Sequence, residues 1–433
     1  MRCLLLFLCG LIASAGVRAA DPMNAVAEKY AHLVLALGQH DPDYVDAFYG
    51  PAEWKTQAEQ KKQSLDAIAA GSKELGAKLA ASHDAASSGD EMLKLRREYL
   101  QKQISALAAR VRMLKGEKLK FDDESRALYD AVAPTYQDSH FDEIIKKLEA
   151  KIPGKNGQSG SDLWQRYEEW RKPFTIPKDK LDAVFHAAIK ECRARTLAHI
   201  SLPSNESFTV EYVTNKPWGG YNWYKGNYHS VIQVNTDLPI FIDRAVDLAA
   251  HEGYPGHHVY NSLLEKNLVR DRGWMEFSVY ALFSPQSLVA EGTANFGREV
   301  AFPNKAERMK FEKEVLFPTA GIDSKRADEY YAVQDLMKEL NYAGNEAARR
   351  LINDEIDENA AVQWLQKYAV MEPARAQQRV KFIQRYRSYV INYNFGEDMV
   401  KNYIEKRAGN DPEKHWREFG KLLASPRLPS GLQ

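Results

Sequence analysis

A mainly α-helical chain with one small β-sheet set just ahead of a histidine-rich helix is the fold class that the sequence predicts. Three observations carry it. Apolar residues recur at three- and four-residue steps over most of the length. Two short stretches in the middle, Ser207-Phe208-Thr209-Val210-Glu211-Tyr212-Val213 and Ser230-Val231-Ile232-Gln233-Val234-Asn235, alternate with a period of two instead. Directly after the next helical segment, the octad His251-Glu252-Gly253-Tyr254-Pro255-Gly256-His257-His258 gathers three imidazoles and a carboxylate.

The helical pattern opens at 23–39. It is fullest at 91–114, where Leu93, Leu100, Ile104, Leu107, Val111 and Leu114 keep helical spacing, and it continues at 122–132, 141–148 and 178–200. Gly, Lys and Ser crowd residues 153–161, which read as a loop and as a seam between an N-terminal helical region, 20–155, and a second region, 156–433. The two alternating stretches follow, separated by the aromatic, Gly-containing segment 218–228. A helix at 242–251 then carries the octad. Further helices are expected at 288–300, 306–316 and 330–340, with several more toward the C-terminus. No internal repeat is visible, and the Lys- and Glu-rich stretches read as solvated helix faces.

At 433 residues and 44% hydrophobic, the chain can bury a sizeable core in one large or two ordinary domains. Its 59 basic and 59 acidic side chains cancel, which argues against a protein built to hold nucleic acid. Residues 1–19 have the form of a secretory signal: Arg2, an apolar run over 4–12, and Val17-Arg18-Ala19 as a small-residue cleavage site before Ala20. The run is too short for an ordinary transmembrane helix, and no later segment is long and apolar enough. Bulky Leu8 argues against a lipid anchor on Cys9, so the expectation is a periplasmic or secreted protein. Cys3 and Cys9 leave with the signal. Cys192 then remains alone, without an intrachain disulfide, and its helical pattern with Leu181, Phe185 and Ile189 makes it a buried structural thiol.

The octad holds the most pointed chemistry. A His-Glu followed by a second His four residues on gives a transition metal two nitrogen ligands beside a general base. Here the fourth position is Pro255. On an unbroken helix, turning about 100° and rising about 1.5 Å per residue, His258 would lie roughly 10 Å beyond His251, and His257 would point away. Neither could share an ion whose nitrogen ligands lie about 2 Å from it. Pro255 removes a helix hydrogen bond and pushes Tyr254 out of α geometry, and Gly256 tolerates unusual backbone. The helix must therefore kink or bulge, which could return either His257 or His258 to His251.

Glu252 is the candidate base, although a lone His-Glu is more often a helix-end surface pair. Glu291 is the leading third ligand, because it follows the apolar run of Ser287-Leu288-Val289-Ala290 and a half-buried charge calls for a cation. Gly292 beside it leaves room for close backbone approach. Glu265 and Glu276 are weaker alternatives. Asp247, one turn before His251, could orient a ligand imidazole or pair with Arg244. Near the C-terminus, Arg387, Tyr389 and Tyr393 crowd together and could stabilise a developing oxyanion, against the simpler reading of aromatic core packing. Asn235, at the end of the second alternating stretch, and His258 are the candidate substrate contacts. His140 and His199 read as structural, and His229 as a possible neighbour of the cleft.

Sheet, histidine helix, then further helices is the layout of zincin-type metallopeptidases, in which a strand beside the metal helix holds extended substrate by backbone pairing. His-Glu-x-x-Pro-Gly-His, followed later by Glu291-Gly292, resembles the bacterial domain-of-unknown-function family 885, a zincin-like relative of helical metallopeptidases. Asp43-Tyr44-Val45-Asp46-Ala47-Phe48-Tyr49-Gly50-Pro51 is similar to that family's N-terminal segment. The resemblance spans nearly all of the mature chain. It implies His257 rather than His258 as second ligand, supports Glu291, and matches Tyr393-Asn394-Phe395-Gly396 to a Tyr-x-x-Gly element. Glu291-Gly292-Thr293-Ala294 departs from the family's Glu-Gly-Trp-Ala, and Arg387-Ser388-Tyr389 from its Pro-Gly-Gln, departures that bear on the substrate pocket more than on the metal. A comparably stretched motif occurs in the dipeptidyl peptidase III family.

The expected function is an exported zinc metallopeptidase acting on short peptides. Its Zn2+ would be held by His251, His257 and Glu291, with Glu252 as base and Tyr393 aided by Arg387 or Tyr389. The alternatives are a catalytically inactive zincin-like periplasmic binding protein and a metal-dependent hydrolase of a non-peptide amide or ester.

Overall fold

The computed structural model describes residues 22–81, 89–152, 154, 162–216 and 218–433. The signal at 1–19 and most of the 153–161 seam lie outside the described residues. Helices dominate, as the periodicity predicts, and bounds shift by a few residues at most positions: Pro22–Leu37, Glu91–Leu114, Phe121–Tyr129, Asp138–Lys151, Leu181–His199, Pro285–Ala301, Lys305–Phe311 and Ala327–Glu339. Two helices without a strong apolar stripe, Ala52–Lys61 and Leu65–Ala81, join them. Start signals are chemical. Asp90 accepts from Met92 N–H at 2.8 Å, Asn304 from Ala306 N–H, and Ser284 precedes a Pro at the first position of Pro285–Ala301.

Among the described residues, five strands form two sheets. β1 (Val45–Phe48) pairs antiparallel with β5 (Val279–Ala281), and the register slips between Val45 and Ala47, so Asp46 occupies a bulge. β2 (Ser207–Val213), β3 (Gly220–Gly226) and β4 (His229–Asn235) form the second sheet in the order β2-β4-β3, with β2 and β4 parallel. The sequence reading recognised two of these three strands. The third, β3, lies in the aromatic segment 218–228, to which the sequence pattern assigns no strand; its turn into β4, Asn227-Tyr228, lacks the usual glycine although both residues have positive φ, 53° and 60°. β4, with Val231 to Asn235, is the central strand and is hydrogen-bonded on both sides.

One core cluster runs from Met23 in the first helix to Leu432 near the end, taking in Leu100, Leu107, Phe185, Leu288, Phe296 and Ile391. Each such fully buried side chain contributes about 1.5–3 kcal/mol. A smaller cluster joins Phe141, Ile144 and Leu148 to Val333, Leu336 and Tyr368. A fully buried ion pair, Arg96 Nε to Glu276 Oε1 at 2.6 Å and Nη2 to Oε2 at 3.1 Å, fastens Glu91–Leu114 to the segment before β5. Glu276 is thereby engaged far from any metal ligand role.

Candidate metal centre

The helix Asp243–Leu248 runs on into a wide π-helical turn, Ala249–Gly253, that carries His251 and Glu252. Tyr254 N–H then donates to Ala249 C=O, and Gly256 N–H reaches back to Ala250 C=O at 2.9 Å. Pro255 has no N–H to extend the ladder. Tyr254 is extended, and a new helix starts at His257 (His257–Leu264). Gly256 is required by contact: a Cβ there would meet His251 O at 2.0 Å and Ala250 O at 2.4 Å. The break lets the first residue of one helix face the last turn of the other.

Across this break His257 Nε2 lies 3.1 Å from His251 Nε2. Glu291 Oε2, from Pro285–Ala301, is 3.4 Å from His251 Nε2 and 3.7 Å from His257 Nε2. Donors bonded tetrahedrally to one ion at about 2.0–2.1 Å would stand about 3.3 Å apart. Glu291 is 7% exposed. Its Oε1 accepts the Tyr389 hydroxyl at 2.8 Å, but Oε2 is buried with no hydrogen-bond partner. A buried carboxylate oxygen with no donor, facing two imidazole nitrogens, fits a divalent metal ion in that gap. Among the described residues, these three form the group that could hold one.

Asn295, one turn after Glu291, sets the imidazole. Its amide nitrogen donates to Tyr393 C=O at 2.7 Å, which leaves its Oδ1 to accept from His251 Nδ1 at 2.8 Å. That fixes the proton on Nδ1 and turns the Nε2 lone pair toward the gap. Asp247 is not this acceptor. It pairs with Arg244 and, at 3.1 Å, with Arg298. Burial alone would lower His251, but Glu252, Glu291 and Asp247 outweigh it and push its pKa up to about 9. Burial works against the Glu291 anion too, yet the two imidazoles that face it, His251 and His257, hold it well below the usual carboxylate range.

Glu252 is 4% exposed, with Oε1 4.0 Å from His251 Nε2. Burial raises its pKa against the pull of both imidazoles. Asn222 of β3 holds its backbone carbonyl at 2.7 Å, and Gly220 clears its carboxylate, since a Cβ there would lie 2.9 Å from Oε1. His251, Glu252, Asn295 and Tyr393 open onto one cavity of about 710 Å3.

The remaining candidates divide. Tyr389 and Tyr393 belong to the site, with ring centroids 5.7 Å apart. Burial raises the Tyr393 hydroxyl well above its ordinary pKa, helped by the Glu291 charge, so it remains a donor. Arg387 is not brought there: its Nε donates to Glu124 at 2.6 Å and its Nη2 to Leu119 C=O. Asn235 is not either, because its amide is spent on the carbonyls of Lys216 and Trp218. His258 is fully buried, one residue out of phase with His257. Its Nε2 meets Glu206 at 3.0 Å and its Nδ1 meets Ser230 Oγ at 2.9 Å, so it touches neither ion nor substrate. Glu206 also accepts Tyr254 OH and Arg193, which locks the broken segment from beneath. Glu265 is occupied by Tyr224 and Arg270, His229 meets Ser207 Oγ at 3.1 Å, His199 stacks on Trp416 and His140 on Tyr136.

The sequence reading missed Asn295, Glu206 and Asp46. For Asn295 the available signal was its position one turn beyond Glu291. Asp46 lies on the β1 bulge, takes a hydrogen bond from Tyr221, and is pushed up to about 6 by burial, with His257, Glu291 and Glu252 among the charges acting on it. Its place inside the quoted N-terminal segment was the available signal.

No family model matches the chain, and no curated protein sequence does. The resemblance to family 885 therefore rests on its motifs. Among solved structures, the chain is similar to a provisionally assigned lipoprotein from Colwellia psychrerythraea, with a TM-score of 0.51 at 13% identity, over 95% of this chain and 74% of that one. A provisionally assigned lipoprotein of unknown function from Shewanella oneidensis follows at 0.45 and 13%, over 95% and 82%. The M32 carboxypeptidase from Deinococcus radiodurans R1 gives 0.38 and 13%, over 93% and 89%. Two neighbours described as lipoproteins lend no support to the expectation of an unlipidated chain, and Cys9 lies outside the described residues. No helix among the described residues is long and apolar enough to cross a membrane. At these identities the likeness is one of fold, and the mainly helical fold of the Colwellia protein is the one this chain shares.

Proposed function

We propose that the chain is an exported zinc-dependent metallopeptidase acting on short peptides. The observation that carries the reading is the orphaned Glu291 Oε2 facing two imidazole Nε2 atoms, with the Glu252 carboxylate beside them at the wall of a cavity. Zinc bound by that donor set supplies Lewis acidity and eases ionisation of water. The chain supplies the rest. Glu252, buried and raised in pKa, accepts the proton of the attacking water and delivers it to the leaving amine. The Tyr393 hydroxyl donates to the carbonyl oxygen as charge develops there. Asn295 keeps His251 in the ligating tautomer.

The test uses full-length protein purified without chelator. It should carry about one equivalent of zinc, as expected of a three-ligand catalytic site, and hydrolyse short peptides. Glu252→Gln should keep the zinc and lose hydrolysis. Tyr393→Phe should lower kcat on the order of 100-fold, in line with loss of one oxyanion donor. Zinc content far below one equivalent would sink the metal reading. Retained zinc without turnover on any peptide would turn the assignment toward a binding protein.

A further inference from the structure

The helix Pro373–Tyr386 places Arg375 and Arg379 one turn apart on the wall of the cavity that also takes in His251, Glu252 and Tyr393. Arg379 Cζ lies 4.8 Å from the Phe382 ring centroid, and that ring is 6.3 Å from the Tyr393 ring. Tyr393 in turn stands against Tyr389, whose hydroxyl reaches Glu291. A chain of tilted and edge-on aromatic contacts thus leads from the guanidinium to a candidate metal ligand.

The cation lacks a counter-ion. Among the described residues, the other cations on this wall each have a carboxylate within 4.0 Å, as Arg244 and Arg298 have Asp247 and Lys338 has Glu397. For Arg379 none is found. Burial pulls its pKa down, and the group acting against that is the Tyr393 phenol rather than an acid. A guanidinium fixed in an enclosing wall without an anion is poised to bind one, and its fork of donors suits a carboxylate.

We propose that Arg379 is the carboxylate subsite of this cleft, and that the carboxylate it takes is the C-terminal one of a short peptide. The inference rests on the peptidase reading and deepens it: bonds near the C-terminal end would be cut. The two stacking contacts bound the reach from Arg379 to Tyr393. At roughly 3.3–3.6 Å per extended residue, at most about three residues fit between the bound carboxylate and the Tyr393 ring.

Calorimetric binding to full-length, metal-loaded Glu252→Gln protein separates this from turnover. The probes are acetyl-trialanine as free acid, the same peptide as C-terminal amide, and acetyl-Ala-Glu-Ala amide. The free acid should bind on the order of tenfold to a hundredfold tighter than its amide, as a charge-assisted pair predicts. Adding Arg379→Gln should erase that difference and leave the amide's affinity unchanged. Arg379→Lys covers a neutral variant that fails to fold: it should keep a reduced preference for the acid, and an undiminished preference would overturn the role of the guanidinium. Equal binding of acid and amide, or a difference that survives Arg379→Gln, would overturn the subsite. Tighter binding of the Glu-containing amide than of the free acid would overturn the C-terminal assignment. Acid preference without hydrolysis by the wild-type protein would sink the peptidase reading alone, whereas equal hydrolysis of acid and amide would sink the subsite alone.

Discussion

His251 and His257 present their Nε2 atoms to each other at 3.1 Å although they stand six positions apart in sequence. The π-helical turn, the extended Tyr254 and the restart at His257 produce that meeting, and His258 turns the opposite way. His257→Ala should therefore abolish stoichiometric metal binding. His258→Gln should retain the metal and lose stability, because it disturbs a buried pair instead. Metal analysis alongside urea denaturation separates the two, and loss of metal only in the His258 variant would reverse the assignment.

Asn295 acts on His251 without touching the ion. Asn295→Ala should weaken metal affinity about 10–100-fold while leaving the fold intact, since orienting partners of ligand imidazoles contribute at that level. Competition with a chromogenic chelator measures this. Asn295→Asp, which keeps the acceptor, should recover most of it.

Gly256→Ala places a methyl group 2.0 Å from His251 O. The backbone must move where it aims a ligand, so both metal occupancy and stability should fall. Overpacking costs about 1–3 kcal/mol, or more when the obstacle is backbone. A variant with wild-type unfolding midpoint and metal content would show that the segment yields.

Removing one partner of the Arg96–Glu276 pair breaks a two-point ion pair at a site with no exposure. Arg96→Met or Glu276→Gln should each cost about 3–5 kcal/mol in chemical denaturation, and the double variant much less than the sum. Additive losses would argue that the two groups act separately.

Glu206 links the fold to pH. Burial would raise it, but hydrogen bonds from His258, Tyr254 and Arg193 prevail and hold it at about 2, against the ordinary 4.5. The unfolded chain takes up this proton first as pH falls. The contribution of Glu206 is therefore full above about 4.5 and is lost progressively toward about 2. Glu206→Gln should be less stable at pH 7 and show a shallower loss of melting temperature between pH 5 and 3, a range set by those two values. Parallel acid limbs would assign the loss to other carboxylates.

Much of this site was legible in the sequence, and the reasons differ by residue. Pro255 and Gly256 announce a broken helix, because one lacks a donor and the other tolerates close backbone. Glu291 announces itself by an apolar run before it. The choice between His257 and His258 is not legible from spacing, since it depends on how the chain re-enters a helix. Arg387 and Tyr389 are equally plausible by type, yet only Tyr389 faces Glu291; Arg387, with φ at 54°, turns to Glu124. Asn235 ends a strand that is legible, but nothing local says that its amide turns to the carbonyls of Lys216 and Trp218. Arg379 carries no motif at all, and its meaning lies in the carboxylate that is missing around it.

Gly292 and Gly396 meet at the crossing of Pro285–Ala301 and Ile391–Ala408, where a Cβ on Gly292 would stand 2.3 Å from Gly396 O. One helix brings Glu291 and Asn295, the other Tyr393. With bare backbone against bare backbone, their spacing answers to atomic radii alone, and no rotamer change can open or close it. The candidate metal ligand and the proposed oxyanion donor are therefore held as one rigid jaw. Any adjustment to substrates of different size is then left to the other walls of the cavity.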